Sequence, residues 1–360
     1  MSTTLQEIDN QESSWRTTLE LLRFKYMDTL TDMPIDGTTH FLFVGCGTSY
    51  YIAQSAARAT QEVTGCSATA IPASEVLLMS ISTVPKHQPV VVIPISRSGN
   101  SSEIILAVRH LKEHFSNVYI MGITCNEEGE LAQEVPHSII LQHAAEQSIV
   151  MTQSFTSMLL ALQFAAAVWS KRDDLLLELA TLPDHLATYS VTARLFGEQL
   201  SKNQRFEEHI FLGMGQYTGL ALEGMLKLKE MTQTPCEAYN SLEFRHGPMS
   251  IVGRGTSILL LAQRQGNRYL REVARDIRAL GGYVSILTPD FSGFYDDVAD
   301  EVLAVSASLS DWARTILYIP PLQYFAYFTA LRKGLNPDKP RHLSQVVAIS
   351  VQETTGGESI

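Results

Sequence analysis

The chain has 360 residues, 45% of them hydrophobic, and a formal net charge of −11. That length can bury one large core or two ordinary ones, while the acidic balance argues against a nucleic-acid surface, which needs clustered Lys and Arg. No apolar run is long enough for a membrane span, and Cys46, Cys66, Cys125 and Cys236 are too scattered for a zinc site or a disulfide framework.

The opening, "MSTTLQEIDNQESSW", is polar and acidic and lacks the basic and apolar regions of a signal peptide. A cytoplasmic location is therefore expected, and residues 1–37 are read as a helical segment. From about residue 39 short apolar runs alternate with helical stretches. "THFLFVGCG" reads as a strand and "TSYYIAQSAARATQEVTG" as the helix after it. "PVVVIPIS" is a further strand, followed by the helix "SSEIILAVRHLKEHF". "VYIMGITC" and "HSIILQ" are strands, and a long apolar helix runs from about Met151 to Ser170. Near-continuous apolar strands joined by helices indicate a parallel sheet covered on both faces.

The same order then recurs. "HIFLGMGQYTGLALEG" parallels "HFLFVGCGTSYYIAQS", with Gly213 lying 168 residues after Gly45. "ILLLAQRQGN" parallels "VVVIPISRSGN", with Gly266 lying 167 after Gly99, and Thr288 follows Thr124 by 164. Nearly constant offsets in one order are the mark of a duplication. The expected organisation is a first α/β unit over 38–170, a linking helical region over 171–205, a second unit over 206–335 and a closing tail over 336–360.

Two loops stand where ligands bind in such sheets, beyond the carboxyl ends of the strands. Each of "GCGTS" (45–49) and "SRSGNSS" (96–102) leads into a helix N-terminus, with free N–H groups and about half a unit of positive charge. Ser49, Ser96, Ser98 and Ser101 add small hydroxyl donors, and Gly45 and Gly47 permit close backbone approach. Either loop could be an ordinary turn, but the second copy has "AQRQGN" where the first has its serines. That asymmetry favours a cradle for a phosphomonoester, and no Walker lysine or Rossmann acid follows to suggest a nucleotide.

In the second unit Glu223, Lys227 and Glu230 fall on one helical stripe, either a solvated ion-pair ladder or a buried, paired cluster. His246, in "FRHGP", lies in the following loop, where a histidine before Gly-Pro is either structural or catalytic.

"GCGTSYY", "SRSGNSSE", "LKLKE", "RHGP" and the duplicated layout together resemble the sugar isomerase (SIS) domain family over roughly residues 38 to 350. The tandem arrangement is similar to the isomerase half of glucosamine-6-phosphate synthase and its stand-alone relatives. The resemblance implies an α/β fold of two tandem SIS domains, each a flavodoxin-like parallel sheet with helices on both faces. It also implies a phosphosugar site formed by Gly47, Thr48, Ser49, Ser96, Arg97, Ser98 and Ser101. In such enzymes the glutamate matching Glu230 moves a proton between C1 and C2, and the histidine matching His246 opens the sugar ring from the neighbouring subunit. Glu223 and Lys227 match residues that complete the site.

Several features depart from the synthase. The chain begins Met1-Ser2 and has only about 38 residues before the first strand, too few for a glutaminase domain or a helix-turn-helix domain. Gln345 stands where the synthase has a lysine able to form a Schiff base, so a binding role through the amide is expected of it. Arg97 replaces a glutamine, and "AEQSIVMTQSFTSM", with Glu146 and Thr152, is similar to the deaminase branch. The expected protein is a cytoplasmic homodimer with shared active sites that turns a hexosamine 6-phosphate into a ketose 6-phosphate and ammonia. No metal or organic cofactor is expected, and no nucleic-acid or membrane partner. The alternatives are a sugar-phosphate isomerase, a fructosamine-6-phosphate deglycase and a non-catalytic phosphosugar sensor.

Overall fold

The computed structural model describes residues 2–203, 205–289 and 292–347. Eleven strands in these residues form two sheets, all of whose pairings are parallel. The first contains β1 (His40–Gly45), β2 (Ala68–Pro72), β3 (Val90–Ser96), β4 (Val118–Ile120), β5 (Ile123–Thr124) and β6 (Ile139–Ile140), in the order β2-β1-β3-β5-β6 with β4 also on β3. The second contains β7 (Glu208–Gly213), β8 (Cys236–Asn240), β9 (Thr256–Leu261), β10 (Tyr283–Thr288) and β11 (Glu301–Ala304), in the order β8-β7-β9-β10-β11. With β4 and β5 taken as one interrupted strand, both follow the 2-1-3-4-5 order of flavodoxin-like sheets. The run "VYIMGITC" is thus two short strands broken at Met121-Gly122, and "HSIILQ" pairs only through Ile139 and Ile140.

The chain begins with α1 (Thr3–Asp9), α2 (Gln11–Leu21), a π-helical turn over Leu22–Tyr26 and α3 (Met27–Thr31). The first unit adds α4 (Thr48–Thr64), α5 (Ala73–Thr83), α6 (Ser102–His114), α7 (Glu130–Glu134) and α8 (Gln153–Trp169). Residues 173–201 form one long helix, α9 (Asp173–Ser201), with Pro183 inside it. The second unit carries α10 (Tyr217–Thr232), α11 (Asn267–Ala279) and α12 (Ile319–Arg332). Among the described residues no helix is long and apolar enough to cross a membrane.

Alternation along the strands builds three apolar regions. Phe41 and Phe43 face one way and Leu42 and Val44 the other, as period-2 side chains must. The outer face of the first sheet packs against α5 and α6 through Val76, Ile104 and Val108. That of the second packs against α11 through Leu270, Val273 and Ile277. The two inner faces share one large core, in which Phe41, Phe43, Phe211 and Leu259 meet residues of α4, α8, α10 and α12. α8 is buried on every side from Gln153 to Ala167 because it lies inside this shared layer.

The duplication has a structural counterpart. α4 and α10, the first helix of each unit, pack on each other between the sheets. Their crossing is close at Gly219, where an added Cβ would lie 2.4 Å from the Tyr51 carbonyl oxygen and 2.2 Å from Ser55 Oγ. Ser55 Oγ donates to the Gln216 carbonyl at 2.7 Å across the same crossing.

Candidate functional site

The two G-x-G turns place the helix N-termini. A Cβ on Gly45 would sit 2.4 Å from the Ser49 backbone, and one on Gly213 2.3 Å from the Tyr217 carbonyl. Only glycine lets the strand end lie this close to the next helical turn. Gly47 then takes a positive φ of 55° as the N-cap of α4, which has no side-chain cap. Ser101, the N-cap of α6, also leaves its first turn without a side-chain cap. Ser101 Oγ instead lies 3.2 Å from Ser96 Oγ, and Ser96 Oγ accepts the Gly99 N–H at 3.1 Å. The Asn100 N–H donates to Ser98 Oγ at 3.2 Å.

These two uncapped N-termini open on one cavity of about 330 Å³, lined by Gly47, Ser49, Arg97, Ser98, Ser101 and Gln345. Glu103, which sequence reasoning left unassigned, also lines it, and one of its carboxyl oxygens is buried without a hydrogen bond. A second hollow of about 240 Å³ shares Arg97, Ser98 and Gln345 and is walled by Glu146 and Asn126. A larger groove of about 600 Å³ lies between α2 and α9, lined largely by apolar groups such as Leu19, Phe24 and Leu177, and none of the candidate residues lines it.

Arg97 is held from behind. Its Nη1 donates to the Ile149 carbonyl at 3.0 Å, to the Ser148 carbonyl at 3.4 Å and to Glu146 Oε2 at 3.4 Å. Its Nη2 reaches the Gln345 carbonyl at 3.5 Å. Glu146 is fully buried and satisfied, accepting from the Thr152 N–H at 2.6 Å and the Thr152 hydroxyl at 2.8 Å. Gln345 Nε2 donates to the carbonyls of Gln147 and Ser148, each at 3.0 Å. These bonds tether the tail to residues 146–148.

The charged stripe on α10 faces inward. Glu223 and Lys227 are each 1% exposed at the side chain and Glu230 is 19% exposed. Lys227 Nζ donates to Glu230 Oε2 at 2.6 Å and to Thr48 Oγ1 at 3.3 Å. Glu223 Oε1 lies 3.4 Å from the same ammonium, and Thr48 also stands beside the Glu223 carboxyl. Burial, opposed by Lys227 and reinforced by the charge of Glu230, raises the Glu223 carboxyl to about 8. Lys227 is itself depressed by burial, but the two carboxyls more than offset this and keep it charged. Thr48 links the two parts of the site, since its neighbours Gly47 and Ser49 line the serine-rich cavity. Tyr51, one turn further along α4, was not singled out in the sequence; its phenol is raised by burial and then by Glu223 and Glu230.

His246 is not drawn into this cluster. Asn240 Oδ1 accepts the N–H groups of Leu242 and Glu243, shaping the turn that presents Glu243–Arg245 and then His246. The His246 side chain is exposed and makes no hydrogen bond or ion pair among the described residues.

A buried carboxyl–ammonium–carboxyl row beside a hydroxyl-rich, helix-capped cavity defines a class of site suited to proton transfer on a small phosphorylated molecule. The SIS domain family matches residues 37–168 and 207–327, and the chain belongs to that family, as two tandem domains. The chain is 28% identical over 322 residues to the glutamine–fructose-6-phosphate aminotransferase (isomerizing) of Vibrio cholerae, covering 86% of this chain and 52% of that one. It thus spans about half the length of the curated relatives it matches. Among solved structures, the glucosamine-6-phosphate deaminase of Thermotoga maritima superposes with a TM-score of 0.78 at 29% identity, covering 97% of this chain and all of that one. The tagatose-6-phosphate ketose/aldose isomerase of Escherichia coli gives 0.86 at 22% identity, over 99% and 97%, a likeness of fold alone.

Proposed function

We propose that the protein is an enzyme that converts a hexosamine 6-phosphate and water to a ketose 6-phosphate and ammonia. The observation that carries this reading is the Glu223–Lys227–Glu230 row, whose Lys227 donates to Thr48 between the cavity-lining Gly47 and Ser49. The cavity, with two uncapped helix N-termini and the hydroxyls of Ser49, Ser98 and Ser101, suits a phosphate. Glu230 is the most exposed member of the row and is paired with the Lys227 ammonium, which supports its assignment as the base. It would take the proton from C2 and return it to C1, turning the open-chain amino aldose into a C2 imine. Water adds to that imine, and ammonia leaves to give the ketose. Ring opening needs a separate acid–base group, and the exposed His246 of a neighbouring subunit is the candidate. The likeness to the Thermotoga maritima deaminase, whose name states that activity, supports the ammonia-releasing direction. Gln345, which cannot form a Schiff base, supports it as well.

The test is ammonia release from glucosamine, galactosamine and fructosamine 6-phosphates. Ammonia from one of the hexosamine 6-phosphates is the expected result. Aldose–ketose interconversion without ammonia would assign the isomerase reading, cleavage of a fructosamine 6-phosphate bearing an amino acid the deglycase reading, and binding without turnover the sensor reading.

A further inference from the structure

The polar N-terminus contains a buried hydrogen-bonding stripe. Glu7, Gln11, Ser14, Trp15 and Thr18 recur at helical spacing, and all five are buried on α1 and α2. Gln11 Oε1 accepts the Thr156 hydroxyl at 2.8 Å, and Trp15 Nε1 donates to Thr156 Oγ1 at 2.8 Å. Ser14 Oγ lies 2.9 Å from Ser157 Oγ, and Thr18 Oγ1 lies 2.8 Å from His143 Nε2. The stripe therefore grips the segment around residues 143–157 along its length.

Glu7 has the most consequential position in it. Its Oε1 accepts the N–H of Gln147 at 2.7 Å and that of Ser148 at 3.2 Å, and its Oε2 accepts the Ser148 hydroxyl. The carbonyls of the same two residues hold Gln345 Nε2, and the Ser148 carbonyl also accepts from Arg97 Nη1. Ser148 is thus fixed on its N–H side by the N-terminal helix and on its carbonyl side by the phosphate loop and the tail. Removing the Glu7 carboxylate would leave two N–H groups and the Ser148 hydroxyl without their acceptor. The loop would rotate to recover hydrogen bonds elsewhere, and its carbonyls would turn with it.

We propose that Glu7 is a positioning residue for the phosphosugar cavity, acting through Gln147 and Ser148 on Arg97 and Gln345; its substrate arm rests on the phosphosugar reading above. Glu7 touches neither cavity, so its effect reaches substrate only through the loop.

The experiment compares Glu7→Ala and Glu7→Gln in the full chain by hydrogen–deuterium exchange and by kinetics with glucosamine 6-phosphate. The Ala variant is expected to speed exchange over residues 146–149, 96–101 and 343–347 together. It should raise KM about tenfold, as for one or two lost hydrogen bonds, with kcat within about threefold. The Gln variant keeps an oxygen for both N–H groups and should recover most of the affinity. Faster exchange confined to 147–148, an unchanged KM, or a fall in kcat alone would each overturn the proposal. Where Glu7→Ala does not fold, Glu7→Asp retracts the carboxylate by one methylene and carries the same test. A wild type that turns over no hexosamine 6-phosphate refutes the functional reading, and the exchange pattern then decides the Glu7 proposal by itself.

Discussion

Two carboxyls share one ammonium on α10, and their environments set them apart. Glu223, fully enclosed, is raised to about 8 chiefly by burial, whereas the more exposed Glu230 has the shorter bond to Lys227. A carboxyl with a raised folded-state pKa stabilises the fold below its ordinary unfolded value of about 4.5, and this contribution is lost as pH rises towards 8. Glu223→Gln cannot ionise, so its unfolding free energy should fall less than that of wild type between pH 5 and 8.5, measured by urea titration. Parallel curves for the two proteins would remove the burial argument. Glu230→Gln keeps the shape and removes the proposed base, and should slow the chemical step by about 100-fold or more. Exchange of the C2 proton with deuterated water should disappear with it. In the cradle, Ser98→Ala and Ser101→Ala each delete a hydroxyl lining the cavity and should weaken substrate binding by about 1.5–3 kcal/mol without loss of fold.

At the scale of elements, the crossing of α4 and α10 is what turns a duplication into a site. Each helix begins at its own G-x-G turn, and their contact at Gly219 brings Thr48 of one unit within 3.3 Å of Lys227 of the other. Gly219→Ala would drive a methyl group into the Tyr51 carbonyl and Ser55, neither of which is the far end of a flexible chain. The helices must then separate, at a cost of about 1–3 kcal/mol by analogy with overpacked cores. Both the urea midpoint and kcat are expected to fall, the second because the Thr48–Lys227 contact stretches. An unchanged kcat in a destabilised variant would show that the row works independently of α4.

For the whole molecule, the proposed reading has the exposed His246 of one protomer serve the Glu230 row of another. In a two-fold dimer each protomer can lend one loop and receive another. The inactive variants His246→Asn and Glu230→Gln should therefore complement when their subunits exchange. About half of the randomly mixed dimers carry one intact site, so activity should return to roughly a quarter of wild type. A mixture that stays inactive after exchange is shown by an independent label would place the histidine's action within one chain, or nowhere.

The strands, their parallel pairing and the doubling of the fold were legible in the sequence because they are local or periodic. Apolar runs of one length, helices of another and the nearly constant offset between the matching positions of the two units need no tertiary information. The serine loop and the spacing of Glu223, Lys227 and Glu230 were legible for the same reason. Which way that stripe faces was not: Leu222, Met225, Leu226 and Leu228 surround it with apolar neighbours, and a solvated ladder has the same spacing as a buried row. The close contact at Gly219 decides it, by seating α10 against α4 inside a core shared by both sheets. The N-terminus shows the same limit more sharply. Glu7, Gln11, Ser14 and Thr18 look like a solvated polar face in the sequence, because hydrogen-bonding side chains serve water and protein partners equally well. Only the packing of α1 and α2 against residues 143–157, more than a hundred positions away, gives each of them a buried partner.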